Sequence, residues 1–135
     1  MNTIDVLAID PGLLNTGLAL LRIDVNTEAI EVLKIELIQT EKEQGKQVRV
    51  NSDDLRRTTI VAQAMFEWAA SASLVMAEIP SGAQNARAAT SFGICTGVLG
   101  ALGIKHKIIQ VQPGERGKAV LGRKTVTKEQ VIHWA

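Results

Sequence analysis

Tyrosine is absent from this 135-residue chain, and Phe and Trp together make up only 3% of it. Stacking of bases on aromatic platforms, the usual device of proteins that grip single strands, therefore has little material here. The core must be built from Val, Ile, Leu and Ala. A single cysteine, Cys95, excludes an internal disulfide; set in an apolar, Gly-rich run, it reads as a small buried core residue. His106 and His133 stand apart, so no Cys/His cluster has zinc spacing. No Walker-type or dinucleotide glycine pattern occurs, and no nucleotide cofactor is expected. The N-terminus lacks the basic, apolar and small-residue order of a secretory leader. The longest uncharged run, Ala88 to Ile104, is short for a membrane span and rich in Thr, Ser and Gly. It reads as a buried helix, and a cytoplasmic protein without a membrane partner is the default expectation.

What is present suits one globular domain spanning residues 1–135, with 46% hydrophobic and 21% charged residues. The net charge of +1 conceals an asymmetry. Residues 1–99 hold 8 Lys/Arg against 12 Asp/Glu, whereas residues 100–135 hold 7 against 2. The basic set is Lys105, Lys107, Arg116, Lys118, Arg123, Lys124 and Lys128. Such an end suits phosphate contact, and equally suits a solvated lysine-rich surface.

Ile4–Ile9 is a nearly continuous apolar run, as in a strand buried on both faces, and ends in the turn signal Asp10-Pro11-Gly12. Gly17–Ile23 is a second strand, antiparallel to the first. Ile30–Gln39 alternates with one irregularity and makes a third. Glu41–Asn51 is polar and reads as a loop. Ser52 or Asp53 is placed to cap a helix whose apolar face is Leu55, Thr59, Ala62, Met65, Phe66 and Ala69, with Arg56, Arg57, Gln63 and Glu67 opposite. Leu74–Ala77 is a strand, Gln84–Leu102 a helix and Ile108–Val111 a strand. Glu115–Leu121 is a candidate short helix, and Thr127 caps a last one that runs to Ala135. Three antiparallel strands followed by parallel strands alternating with helices predict an α/β fold, a mixed five-stranded sheet flanked by helices.

Asp10 and Glu78 each follow a buried strand and precede a proline within two residues. If the two strands are central and parallel, the carboxylates converge at one sheet end. There they repel unless a cation is present, and carboxylate oxygens suit Mg²⁺ or Mn²⁺. Ions so held can activate water for phosphodiester cleavage. Each carboxylate taken alone fits a simple capping role as well. Gly12 can take a positive φ in the turn, and Gly17 can let another backbone or a phosphate come close. On the second helix, Asn85, Ala89, Gly93, Gly97 and Ala101 form a stripe of small residues four apart. Glycines there weaken the helix, and close packing must offset the cost, either inside the monomer or at a dimer seam.

In order along the chain, Ala8-Ile9-Asp10-Pro11-Gly12 with Asn15-Thr16-Gly17, then Ala77-Glu78-Ile79-Pro80, then Asn85-Ala86 through Gly93 and Gly97, then Gln112-Pro113 with Lys118, Val120–Gly122, Lys124 and Lys128–Val131 resemble the RuvC family of Holliday-junction resolvases, of the RNase H-like fold. The resemblance implies a homodimeric, Mg²⁺- or Mn²⁺-dependent endonuclease that nicks four-way DNA junctions in recombination and repair. It implies Asp10 and Glu78 as catalytic metal ligands. Lys118 and Lys124 would approach phosphates, with Arg116, Arg123 and Lys128 alongside, and Ala89, Gly93, Gly97 and Ala101 would lie at the dimer interface. The family places further acidic ligands in or before its last helix. Here no Asp follows Asp54, and only Glu115 and Glu129 follow Glu78, neither at a matching place. A chain cut within its last helix is the corresponding expectation. Three other readings stay open: a same-fold nuclease acting on other DNA or on RNA, a non-catalytic nucleic-acid-binding member, and an actin-like ATPase suggested by the Asp-Gly hairpin.

Overall fold

The computed structural model describes residues 2–45 and 49–111. The elements in order are β1 (Thr3–Asp10), β2 (Asn15–Asp24), β3 (Ile30–Gln39), α1 (Val50–Ala69), β4 (Leu74–Glu78), α2 (Ala86–Leu102) and β5 (Ile108–Val111). The candidate helix at Glu115–Leu121 and the one capped by Thr127 lie outside the described residues.

The strands form one sheet in the order β3-β2-β1-β4-β5. β1 pairs antiparallel with β2, and β2 with β3, whereas β1–β4 and β4–β5 are parallel. β1 thus lies at the centre, which accounts for its nearly continuous apolar run. The irregularity in the alternation of β3 has a structural cause. Leu20 pairs with Lys34 but Leu21 pairs with Val32, so Leu33 is an extra residue, a β-bulge. The bulge restores Ile30, Val32, Ile35 and Leu37 to one face of the sheet.

Both helices described pack on the other face. Leu7, Ile9, Leu18, Val75 and Ala77 of the sheet meet Val61, Met65 and Trp68 of α1 and Val98, Leu99 and Leu102 of α2. The ammonium of Lys34 lies 4.3 Å from the ring centre of Trp68 and closes the rim of this core. Cys95 is buried, and burial pushes its thiol pKa up. No described helix is long and apolar enough to cross a membrane.

The structure corrects the reading of α1. The helix begins at Val50, with Arg49 as a cap that makes no side-chain bond, not at Ser52 or Asp53. Asp53 sits inside the first turn, where its carboxylate accepts from Arg56 and from the Glu43 N–H. The core-facing stripe is Asp54, Arg57, Val61, Met65 and Trp68 rather than one led by Leu55. Leu55 is 68% exposed, whereas Arg57 is 5% exposed. The expected apolar face splits in two: Met65 and Ala69 enter the core, while Leu55, Ala62 and Phe66 line a cleft against α2. α2 starts at Ala86, two residues later than expected, because the Asn85 side chain accepts from the Ala88 N–H at 2.8 Å and caps it.

This division of α1 predicts a contrast in denaturant unfolding. Met65→Ala, at a fully buried site, is expected to cost about 2–5 kcal/mol. Leu55→Ala is expected to change stability by about 0.5 kcal/mol or less.

Candidate active site

Ile9 of β1 pairs with Ala77 of β4 in parallel register, so the next residues of both strands, Asp10 and Glu78, leave the sheet side by side. Glu78 also pairs with Val111 of β5. The two carboxylates line one small cleft of about 240 Å³ together with Pro11, Ile79, Pro80, Ser81 and Phe92. Prolines after each strand end the ladder and turn the chain away from the carboxylates.

The turn after Asp10 is held locally. The Gly12 N–H donates to Thr16 Oγ1 at 3.3 Å, and the Thr16 hydroxyl donates back to the Gly12 carbonyl at 2.5 Å. Thr16 is fully buried. Gly12 does not use the positive φ open to it; positive φ among the described glycines occurs at Gly45 and Gly82. What demands glycine at 12 is proximity, since a Cβ there would lie 2.4 Å from the Asn15 carbonyl oxygen. At Gly17 a Cβ would meet that of Asp10 at an ordinary 3.6 Å. Gly82, with φ +72°, supports the bend between Glu78 and α2.

A buried polar chain fixes the same turn from behind. The Thr40 N–H donates to the Leu14 carbonyl at 2.9 Å, and its hydroxyl donates to the Leu13 carbonyl. Arg57 Nε donates to Thr40 Oγ1 at 2.9 Å. Nearby, Arg87 of α2 grips Asp54 of α1 with both terminal nitrogens, at 2.7 and 2.6 Å. That bidentate bond holds the Asp54 carboxyl below its usual pKa against the opposing effect of burial, and raises that of Arg87. The Arg57–Thr40 link and the Arg87–Asp54 pair escaped the sequence reading, because a polar helix start looks the same whether it is solvated or buried.

Asp10 and Glu78 are therefore brought together. The donor set fits one hydrated hard cation, since Mg²⁺ keeps several waters and is commonly held by one or two carboxylates. Among the described residues no group of three or more His, Cys, Asp or Glu is placed to hold a metal. Lys118, Lys124, Arg116, Arg123 and Lys128 lie outside the described residues. Ala89, Gly93, Gly97 and Ala101 all lie on α2, and the last three line the cleft between α2 and α1.

No family model matches the sequence, and no curated protein does. Solved structures do match. RuvC of T. thermophilus in complex with Holliday junction substrate superposes with a TM-score of 0.75 at 18% identity, covering 97% of this chain and 76% of that one. A second structure of Thermus thermophilus RuvC gives 0.68 at 18%, covering 97% and 77%. The Fowlpox virus resolvase in complex with Holliday junction DNA gives 0.54 at 15%, covering 82% and 61%. The sheet of three antiparallel and then parallel strands, with its helices, is the RNase H-like fold. Within that class, the architecture is the one seen in the RuvC Holliday junction resolvases.

The Asp54–Arg87 pair predicts an acid limb of stability. A carboxyl whose folded pKa is depressed contributes stability above its unfolded value, near 3.9, and loses it as pH falls through the folded value. Thermal melts at descending pH should show Asp54→Asn losing less stability below about pH 4 than the parent chain does.

Proposed function

We propose that this chain is a divalent-metal-dependent endonuclease for branched DNA, a crossover junction endodeoxyribonuclease acting on four-way junctions in recombination and repair. The observation that carries the reading is the convergence of Asp10 and Glu78 from adjacent parallel strands into one cleft. It is supported by a fold shared with two proteins solved with Holliday junction DNA.

In this reading Asp10 and Glu78 hold Mg²⁺ or Mn²⁺. The chemistry such an ion supplies is activation of water and neutralisation of phosphate charge. Pro11 and Pro80 shape the cleft, and the Gly12–Thr16 bonds keep Asp10 at a fixed place. Lys118, Lys124, Arg116, Arg123 and Lys128 supply phosphate contacts, so affinity falls with salt. The shape of the junction, rather than base edges, is what is bound.

A homodimer built on α2 belongs to the same reading. Among the described residues, a Cβ built at Gly93, Gly97 or Gly100 meets nothing within 4 Å. Packing among the described residues therefore gives no reason for glycine there, although each costs the helix about 1 kcal/mol relative to Ala. A second copy seated along Gly93, Gly97 and Ala101, against the apolar cleft with Leu55 and Phe66, accounts for Gly93 and Gly97. Gly97→Ala is expected to raise the melting temperature of the monomer while weakening dimerisation, measured by sedimentation equilibrium. A Gly97→Ala chain with unchanged self-association would count against this seam.

One observation favours a second reading, a junction-binding protein without cleavage: among the described residues the site has two carboxylates and no third acidic partner. A labelled four-way junction and a matching linear duplex, each with Mg²⁺, Mn²⁺ or chelator, separate the two. The expected result is paired nicks in the junction alone, lost with chelator, and reduced about 100-fold or more by Asp10→Asn or Glu78→Gln. Metal-dependent cleavage that survives both substitutions would sink the catalytic assignment. Junction binding without nicks would support the second reading. Indifference to the junction would point to RNA or other DNA.

A further inference from the structure

Beside the carboxylate cleft lies another of about 620 Å³, with Leu13 and Leu14 of the β1–β2 turn on one wall and Lys42, Arg57 and Arg87 among its lining residues. The two clefts flank the same structures: Pro11 lines one and Leu13 the other, Phe92 one and Ser91 the other. The charges around this second cleft are paired unequally. Asp53 is bonded to Arg56 and Asp54 to Arg87. Arg57 is 5% exposed and makes no direct ion pair among the described residues, although the Asp53 and Asp54 carboxylates lie close enough to feel its charge. Its Nε is bonded to Thr40, and its two terminal nitrogens donate no hydrogen bond among the described residues. No side-chain nitrogen of the described residues is wholly buried without a partner, so those two nitrogens keep some access to solvent, and Arg57 lines the cleft. A guanidinium anchored through one nitrogen, with two donors accessible, offers an anion a planar fork already fixed in place.

The rest of the lining suits that anion. α2, a helix of 17 residues, starts here: Asn85, Arg87 and Ala88 of its first turn all line the cleft, and its dipole favours negative charge at that end. Lys42 adds a second cation, and Gln44 and Ser91 add neutral donors. Glu41 is the one opposing carboxylate in the lining. The fork of a guanidinium matches a phosphate with two parallel bonds.

We propose that this cleft binds a phosphodiester group of the same nucleic-acid strand that enters the Asp10–Glu78 cleft. Arg57 is the central donor, Lys42 and the start of α2 are its helpers, and no metal is needed. That the phosphate belongs to nucleic acid rests on the function proposed above; that the cleft takes a phosphate does not. Arg57 here is a binding residue that sets where the strand lies relative to the carboxylates.

The test uses the full chain, ¹⁵N-labelled, with chelator present, titrated in one arm with inorganic phosphate and in the other with a short single-stranded oligodeoxynucleotide. The readout is the Arg57 Nε–H resonance, assigned by its loss in Arg57→Lys. Both arms are expected to move it saturably. Arg57→Gln is expected to weaken oligonucleotide binding about tenfold. Lys42→Gln should weaken it less, and each should lower the slope of log K against log salt by about 0.7. Oligonucleotide binding with an unmoved Arg57 resonance and an unchanged salt slope in Lys42→Gln overturns this site and leaves the proposed function standing. A response to inorganic phosphate without any oligonucleotide binding overturns the assignment of this cleft to a nucleic-acid strand, whereas the proposed function is decided separately by the junction assay. If Arg57→Gln fails to fold, the parent resonance and Lys42→Gln still decide the matter.

Discussion

Parallel pairing of β1 with β4 is the constraint on which the rest of the molecule depends. A parallel register sends both chains out of the sheet in the same direction, so residues that follow paired positions become neighbours without any loop having to carry them there. Ile9 opposite Ala77 makes Asp10 the neighbour of Glu78. Placing two carboxylates side by side is unfavourable by itself, and burial of Leu7, Ile9, Val75 and Ala77 against both helices supplies the rigidity that keeps them there. Parallel pairing also requires crossover connections, and those connections are α1 and α2, the elements that bring Arg57 and Arg87 to the same end of the sheet.

Around that centre, polar groups rather than further apolar packing determine the position of the turn after Asp10. Thr16 binds Gly12 from within the hairpin, and Thr40 binds Leu13 and Leu14 from the end of β3. Arg57 in turn binds Thr40. The Asp10 turn is thus tied to β3 and to α1. Breaking one link would leave buried groups without partners, a larger cost than the bond itself contributes. The same arginine that anchors this network also lines the neighbouring cleft.

Much of this was legible in the sequence, for reasons that differ by element. Strand β3 and strand β5 fall at the limits read from alternation and from a short apolar run. β1, β2 and β4 extend one or two residues beyond the limits read, because terminal polar residues such as Asp10, Asn15 and Glu78 continue the backbone ladder. The convergence of Asp10 and Glu78 followed from strand order. The helical faces were harder. Periodicity ranks residues by apolarity, and in α1 a buried stripe contains Asp54 and Arg57, which are bonded to Arg87 and Thr40 from distant parts of the chain. Such partners have no local signature. Gly12 illustrates a different gap: the residue type was informative, but the reason was steric contact with Asn15 and not a left-handed backbone.

The bulge at Leu33 has a consequence beyond alternation. β3 is a ten-residue strand at the margin of the sheet, with Ile30, Val32, Ile35 and Leu37 all more than half exposed. A long, flat, apolar edge of that kind invites another chain to add a strand and so seeds aggregation. The extra residue interrupts the ladder midway and sharpens the local twist. Glu31, Lys34 and Glu36 place charge along the other face of the same strand. An incoming strand would find two short registers out of phase instead of one continuous template, so this irregularity favours solubility in a chain whose apolar rim would otherwise be adhesive.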